Sequence, residues 1–342
     1  MLRANLIEPQ KFALEQVDAP EPRVDETLIR VVQVGICGSD IHAYYGKHPF
    51  ISCPIVPGHE FVGIVEKVGD GSTELLGQRV TVLPSLVCGK CYNCRTGRFN
   101  ICESLRVIGC QAPGAFAEFV VVPTDKVFPL PEEMSWDQGV LIEPLAVAVH
   151  AVRRVCRIPG KNILVLGAGT IGLMTVLSLK ASGAGKIIVS DLNDERLALA
   201  RELGADITIN PAKDDLPTLV RKSAESVDVT FECVGVQSTV NDAITLTRKG
   251  GGVVILGVFE EDVVVKMGLV QDKEIDVLGS LMYDKEDYFE AIRLIGRTPI
   301  ITKLITHHFS LREVADAFKL IEKPPQDVVK VVIKVSETHN SR

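Results

Sequence analysis

The chain has 342 residues, 46% of them apolar and 24% charged, so it is long enough for two ordinary domains and apolar enough to give each a core. That excludes a disordered, collagenous or coiled-coil chain. Lys and Arg number 37 against 44 Asp and Glu, a net charge of -7, so no general attraction for nucleic acid or an anionic membrane is expected, and the partner is expected to be a small molecule.

Residues 1 to about 125 are predicted to form a mostly β body with long loops, because segments 27–34, 61–68, 79–83 and 117–122 read as short strands between glycine and proline punctuation. From about residue 141 the rhythm changes. Helical spacing over 145–155 is followed by alternating apolar and helical segments: 163–166, a helix through Lys180, 186–190, a helix over 194–203, 207–209, then 227–232, 243–247 and 253–258. This alternation predicts a parallel, doubly wound sheet. After Tyr283 the pattern is mixed, with an amphipathic helix over 311–321 and a last strand over 328–335, and this tail is expected to return to the first domain. The predicted divisions are 1–146, 147–284 and 285–342.

The uncharged run 162–179 has about the length of a membrane helix by the ~20-residue rule. Gly167, Gly169 and Gly172 interrupt it and Pro159-Gly160 precede it, so no span is expected. Nine cysteines are an odd number, and Cys88, Cys91, Cys94, Cys102 and Cys110 fall within 23 residues of a chain that opens without an apolar leader. Reduced thiols and metal ligands in the cytosol are expected, rather than a secreted disulfide scaffold.

Gly167-Ala168-Gly169-Thr170-Ile171-Gly172 is a GxGxxG between an apolar strand and a helix. The first glycine permits a tight turn, the second lets backbone N–H groups approach a pyrophosphate, and the third lets helix and strand pack closely. Asp191 ends the next strand, 19 residues past Gly172, where a carboxylate accepts from both hydroxyls of an adenosine ribose. The plainer reading is a strand–helix corner, with Asp191 capping the helix near Asp194. An acid there repels a 2′-phosphate, so NAD is expected over NADP; Arg196 lies close enough to partner either. Gly257 follows an apolar strand and is expected near the nicotinamide half by topology.

Cys88, Cys91, Cys94 and Cys102 form C-x2-C-x2-C-x7-C on a loop carrying Pro84, Gly89 and Gly97. Four thiolates on one closed loop fit a structural, tetrahedral zinc. The rival assignments are an iron–sulfur cluster, whose bacterial run has a different last spacing, and unliganded cysteines. A second, dispersed set comprises Cys37 in Gly35-Ile36-Cys37-Gly38-Ser39-Asp40-Ile41-His42, the run Gly58-His59-Glu60, and Glu143. One thiolate, one imidazole and exchangeable carboxylates describe a catalytic zinc; on the pattern alone, a buried thiol and a packed histidine fit as well.

The stretch Gly58-His59-Glu60-x2-Gly63-x5-Gly69-x2-Ser72 resembles the zinc-site signature of the medium-chain alcohol dehydrogenases. The four-cysteine loop, the GxGxxG and the return segment fall in that family's order. The resemblance implies a GroES-like β domain joined to a Rossmann domain with the active site in the cleft. It implies that Cys37 and His59 bind catalytic zinc, that Glu60 is a ligand or exchanges with water, and that Glu143 stands where simple-alcohol enzymes have a second cysteine. That glutamate is similar to the sorbitol/polyol and threonine dehydrogenase branches. Ser39 and His42 match the family's proton relay, from the substrate hydroxyl through the cofactor ribose toward solvent.

The activity so implied is zinc- and NAD-dependent hydride removal from a secondary alcohol of a polyol, sugar or sugar acid. The alternatives are L-threonine 3-dehydrogenation and, in another class, a non-catalytic dinucleotide-binding relative. Homodimers or homotetramers paired through Rossmann sheet edges are implied too. His150, His307 and His308 are expected to be structural, and Cys53, Cys110, Cys156 and Cys233 to be buried thiols. Tyr45, Lys47, His48 and Phe50 are expected either to line the substrate cleft or to form a surface loop.

Overall fold

The apolar segments in the middle of the chain pair as a six-stranded, all-parallel sheet in the order Ile207–Ile209, Ile187–Ser190, Ile163–Leu166, Val227–Glu232, Thr247–Ile255, Asp276–Gly279. Strands covered on both faces need apolar side chains on both, which is why these segments read as continuous apolar runs; Ile163, Leu164, Val165, Ile187, Ile188 and Val189 are fully buried. The strand order reverses between Ile163–Leu166 and Val227–Glu232, and ligands of such sheets bind at the carboxyl ends of the strands at this reversal.

The computed structural model describes residues 1–69, 71–322 and 328–336. It divides into one unit of Met1–Glu143 with Ile295–Arg342 and a second of Pro144–Leu294. The second boundary falls ten residues beyond the predicted 284. The cause is the helix Lys285–Gly296, whose Tyr288, Ala291 and Leu294 are buried and whose Asp287 is bound by the 142–153 helix of the same unit. Segment 243–247 ends the helix Gln237–Leu246, and the strand after it starts at Thr247, earlier than its apolar stretch. Its polar and glycine residues are strand because their backbone pairs with Val227–Val229 through a register shift.

In the first unit, seven strands form a mixed sheet, in which Lys330–Lys334 runs antiparallel to Glu26–Gly35, with Val332 opposite Gly35. On its other side Glu26–Gly35 pairs with Glu60–Val68, placing Gly35 opposite Glu60. The tail therefore lies one strand away from residues 35–37 and two from 59–60. Beneath it, Phe61, Phe116, Phe318, Tyr44 and Leu6 join one apolar core. The helix predicted over 311–321 is a 3-10 turn, Leu311–Glu313, continued by Val314–Glu322.

Within the second unit, His150 Nδ1 lies 2.7 Å from Asp287 Oδ2 and Arg153 donates to Oδ1, so His150 has the structural role expected of it. Burial alone would raise the Asp287 carboxyl, but the hydrogen bonds from His150 and the Asp284 N–H and the charge of Arg153 hold it below its ordinary 3.8. A depressed carboxyl contributes stability that is complete above its unfolded pKa and is lost as pH falls through its folded one. Asp287→Asn should therefore lower stability at pH 7 by about 1.5–3 kcal/mol, the range of hydrogen bonds to charged groups. The difference between wild type and variant should close toward pH 2, as read by urea unfolding across pH.

Candidate functional site

Cys37 follows the strand Glu26–Gly35 and is the N-cap of the short helix Gly38–Tyr44; Asp40, in the first turn, accepts the Cys37 N–H on Oδ2 at 2.9 Å. His59 and Glu60 open the neighbouring strand. Register alone thus brings two distant segments together, and the donor atoms of Cys37, His59 and Glu60 lie within 4.8 Å of one another. The two nitrogens of His59 face different groups. Ser39 Oγ is 3.5 Å from Nε2, whereas Asp40 Oδ1 at 3.8 Å and Cys110 Sγ at 3.9 Å are nearest Nδ1.

Glu143 is buried in the first turn of the helix Ile142–Arg153 but lies outside the three-residue cluster. The group nearest Glu60 is one the sequence reading missed. Lys330, 2% exposed, reaches from the tail strand to form an ion pair with Glu60 Oε2 and donates to the Ile36 carbonyl at 3.0 Å. Burial would lower the Lys330 pKa, but the charges of Glu60, Cys37 and Glu143 raise it above its ordinary value. Similarly, burial disfavours a charged His59, yet Asp40, Cys37 and Cys110 outweigh it and the imidazole stands well above its usual range. Asp40 Oδ1 accepts no hydrogen bond among the described residues. A buried donor set this rich in anions suits a cation. The signal for Asp40 was its place in the Cys37–His42 run; Lys330 carried none, since its strand is bounded by a lysine at each end.

The four cysteines of the 88–102 loop also converge, all sulfur atoms lying within 4.8 Å of one another. Backbone N–H groups are turned toward the sulfurs: Cys91 N onto Cys88 at 3.4 Å, Cys88 N onto Cys102 at 3.3 Å and Ser104 N onto Cys102 at 3.4 Å. Hydrogen bonds from the backbone at Cys94 and Glu103 bring the Cys91 thiol down to about 6, while burial pushes Cys94 up to about 12. Backbone donors aimed at sulfur favour thiolates, the form that binds metal.

In the second unit, each glycine of the GxGxxG has a distinct geometry. Gly167 sits at φ +95°; a Cβ on Gly172 would stand 1.9 Å from the Gly167 carbonyl oxygen; a Cβ on Gly169 would meet nothing within 4 Å. The first and last glycines are therefore needed by the turn and the packing, while Gly169 faces open space at the start of the helix Thr170–Ala181, which includes Thr170 and Ile171. Asp191 accepts Ala168 N–H at 2.6 Å and Asn193 N–H at 2.9 Å. The cap of the helix Asp194–Glu202 is Asn193, which accepts from Glu195 and Arg196, so Asp191 is tied to the glycine loop instead. Gly257 has a packing reason of its own, since a Cβ there would lie 2.2 Å from Gly235 N. Contrary to the expectation of buried thiols, Cys156 is exposed and Cys53, Cys110 and Cys233 are only part-buried, with Cys110 bordering His59.

This combination of a mixed donor cluster in a β-rich unit and a glycine-rich strand–helix turn in a parallel α/β unit is that of a metal-assisted dehydrogenase. Residues 23–132 match the alcohol dehydrogenase GroES-like domain and residues 170–297 the zinc-binding dehydrogenase domain. The chain is 36% identical to an L-idonate 5-dehydrogenase of Vitis vinifera over 86% of its length and 84% of the relative's. It is 33% identical to a sorbitol dehydrogenase of Bacillus subtilis over 95% and 94%. Among solved structures, an Escherichia coli alcohol dehydrogenase complexed with NADH superposes with a TM-score of 0.91 at 32% identity, covering 98% and 99% of the two chains. A zinc-binding dehydrogenase of Sinorhizobium meliloti bound to NADP gives 0.89 at 34%, covering 97% and 98%. The chain belongs to the zinc-binding alcohol dehydrogenase family.

Replacing Cys91 by alanine should release one zinc per chain and lower the thermal midpoint, because a closed thiolate site contributes folding energy and no chemistry. Metal analysis by mass spectrometry beside a melting curve reads both.

Proposed function

We propose that the chain is a zinc- and NAD-dependent dehydrogenase that converts a secondary alcohol of a polyol, sugar or sugar acid to its ketone. The observation that carries the reading is the Cys37–His59–Glu60 cluster, with Glu143 beside it in the same unit. Sorbitol and L-idonate dehydrogenases among the relatives support the substrate class. No observation favours L-threonine, and every residue expected to hold metal is present, which argues against a non-catalytic relative.

The donor set fits the metal: soft thiolate, imidazole and carboxylate in a buried, anion-rich pocket. Zinc, when bound there, lowers the cost of deprotonating an alcohol, and NAD takes up the hydride. Cys37, His59 and Glu60 hold the metal, with Glu143 in support. Ser39 Oγ receives the substrate proton, and His42, one turn further along the same helix, delivers it toward solvent. The Asp40 carboxylate faces Nδ1 of His59 across 3.8 Å, which leaves Nε2, on the Ser39 side, for the ligand role. Cys88, Cys91, Cys94 and Cys102 hold the second zinc. Gly167, Gly169 and Gly172 receive the pyrophosphate of NAD at the helix N-terminus, Thr170 and Ile171 supply the first N–H groups, and Asp191 accepts from the ribose hydroxyls with Arg196 beside it. Gly257 borders the nicotinamide half.

Among the described residues, no helix is long and apolar enough to cross a membrane, and nine free thiols suit a reducing compartment such as the cytosol. The outer strand Asp276–Gly279, with Val277 46% exposed, offers a sheet edge to a second copy; light scattering of the purified protein tests that dimer.

Cys37→Ser should abolish turnover while NADH fluorescence titration remains nearly unchanged, because the dinucleotide residues belong to the other unit. Full activity in that variant overturns the metal assignment. Asp191→Ala should weaken NAD by about 1.5–3 kcal/mol, roughly 10–150-fold, and shift preference toward NADP. Its KM values for both cofactors are the check. A screen of polyols, aldonates and L-threonine for NAD reduction tests the substrate class, and efficient turnover of L-threonine alone overturns it.

A further inference from the structure

The loop after the helix Gly38–Tyr44 is unaccounted for by the metal and dinucleotide residues. Gly46 N–H donates to Ala43 O at 2.9 Å and Lys47 N–H to His42 O at 2.8 Å, so the chain folds back over the helix end that carries His42 and sets His48 just beyond it. On its far side the loop is fastened to the turn that borders His59. Gln111 Nε2 donates to the Phe50 carbonyl at 2.9 Å, and the adjacent Cys110 has its sulfur 3.9 Å from His59 Nδ1. His48 is therefore held between the relay histidine and the metal-binding histidine, in the same unit as both.

Its protonation is defined by geometry. The Phe50 N–H donates to His48 Nδ1 at 3.1 Å, so Nδ1 is the acceptor and the proton of the neutral ring is on Nε2. No hydrogen bond reaches Nε2 among the described residues. Burial, with the neighbouring charges of His42 and His59, lowers the His48 pKa below its ordinary 6.5, in keeping with the tautomer that the Phe50 N–H selects. Phe50, 77% exposed, stands edge-on to it at 6.2 Å between ring centroids. The pair offers an apolar face for the C–H side of a hydroxylated chain and one N–H for a hydroxyl, the two requirements of such a ligand.

We propose that His48 is a specificity-determining residue, whose Nε2–H donates to a substrate hydroxyl other than the one oxidised and so selects a polyhydroxylated alcohol over a simple one. This rests on the polyol reading above and deepens it by naming the residue that reads the second hydroxyl. A site built to bond a hydroxyl rejects the analogue lacking it because its own polar group is left unpaired.

The test compares kcat and KM of the zinc-loaded enzyme for sorbitol, for gluconate as the aldonate and for cyclohexanol, in wild type, His48→Phe and His48→Gln. NADH titration and zinc content confirm that each variant is intact. His48→Phe keeps a flat ring without the donor and should lower kcat/KM for sorbitol about 10-fold, mainly through KM, with cyclohexanol unchanged. His48→Gln restores an N–H and should recover most of the loss. Equal losses on sorbitol and cyclohexanol, or no loss on either, overturn the proposal, as does a loss confined to gluconate, which would mark a carboxylate contact. A wild type with no preference for sorbitol over cyclohexanol overturns the polyol reading itself, whereas that preference surviving in His48→Phe overturns only the role of His48.

Discussion

The ion pair between Lys330 and Glu60 is the contact on which the metal-side architecture depends. A lysine and a glutamate 270 residues apart are both almost fully buried, and taking either charge out of water alone costs several kcal/mol. Each is tolerable only because the other is present, so the strand that brings Lys330 and the strand that brings Glu60 must be in the same sheet with Glu26–Gly35 between them. Gly35 records the crowding at that crossing: a Cβ there would fall 2.2 Å from Glu60 Oε2 and 3.2 Å from the Lys330 side chain. Two residues past Gly35 and one before Glu60, the same crossing sets Cys37 against His59.

Charge is distributed around this point with some economy. Cys37, Asp40, Glu60 and Glu143 supply negative groups; Lys330 and His59 answer them. The metal proposed for the cluster adds to a pocket already partly neutralised, and a donor set offset by a fixed lysine leaves the ion more of its positive character than an all-anionic cage would. In the 88–102 loop, among the described residues, the sulfur contacts are backbone N–H groups and other sulfurs rather than a lysine. The two clusters thus differ in electrostatic design, in keeping with the reactive and the structural ion proposed for them.

Much of the α/β unit was legible in the sequence because its strands are buried on both faces and its glycines are forced by geometry. Residues 163–166 and 227–232 are strands to the residue, and Gly167 and Gly172 are required by positive φ and by a carbonyl contact. What stayed hidden was whatever tertiary contact decides. The strand Thr247–Ile255 begins in polar and glycine residues held by tertiary hydrogen bonds, such as Arg248 to Asp228 and Gly250 N–H to the Lys273 carbonyl, and the helix Lys285–Gly296 belongs mostly to the unit whose pattern had faded before it. At the metal cluster, the residues of the G-x-C-x-S-D-x-H and G-H-E runs were visible. Lys330 and Cys110 were not, since neither has a local pattern that distinguishes a buried polar partner from an ordinary strand lysine or core thiol.

The two cysteine-bearing clusters also differ in how much of the chain they need. All four sulfurs of the loop come from residues 88–102, whereas the sheet around Cys37 is closed by residues 330–334. During synthesis on the ribosome, the first cluster has its full complement of ligands when less than a third of the polypeptide has been made. The second has its thiol and imidazole early but lacks its buried counter-charge until the last stretch emerges. Under the proposed metal assignment, connectivity would let the loop load on a nascent chain, whereas the mixed-donor pocket would be complete only once the strand Lys330–Lys334 has docked.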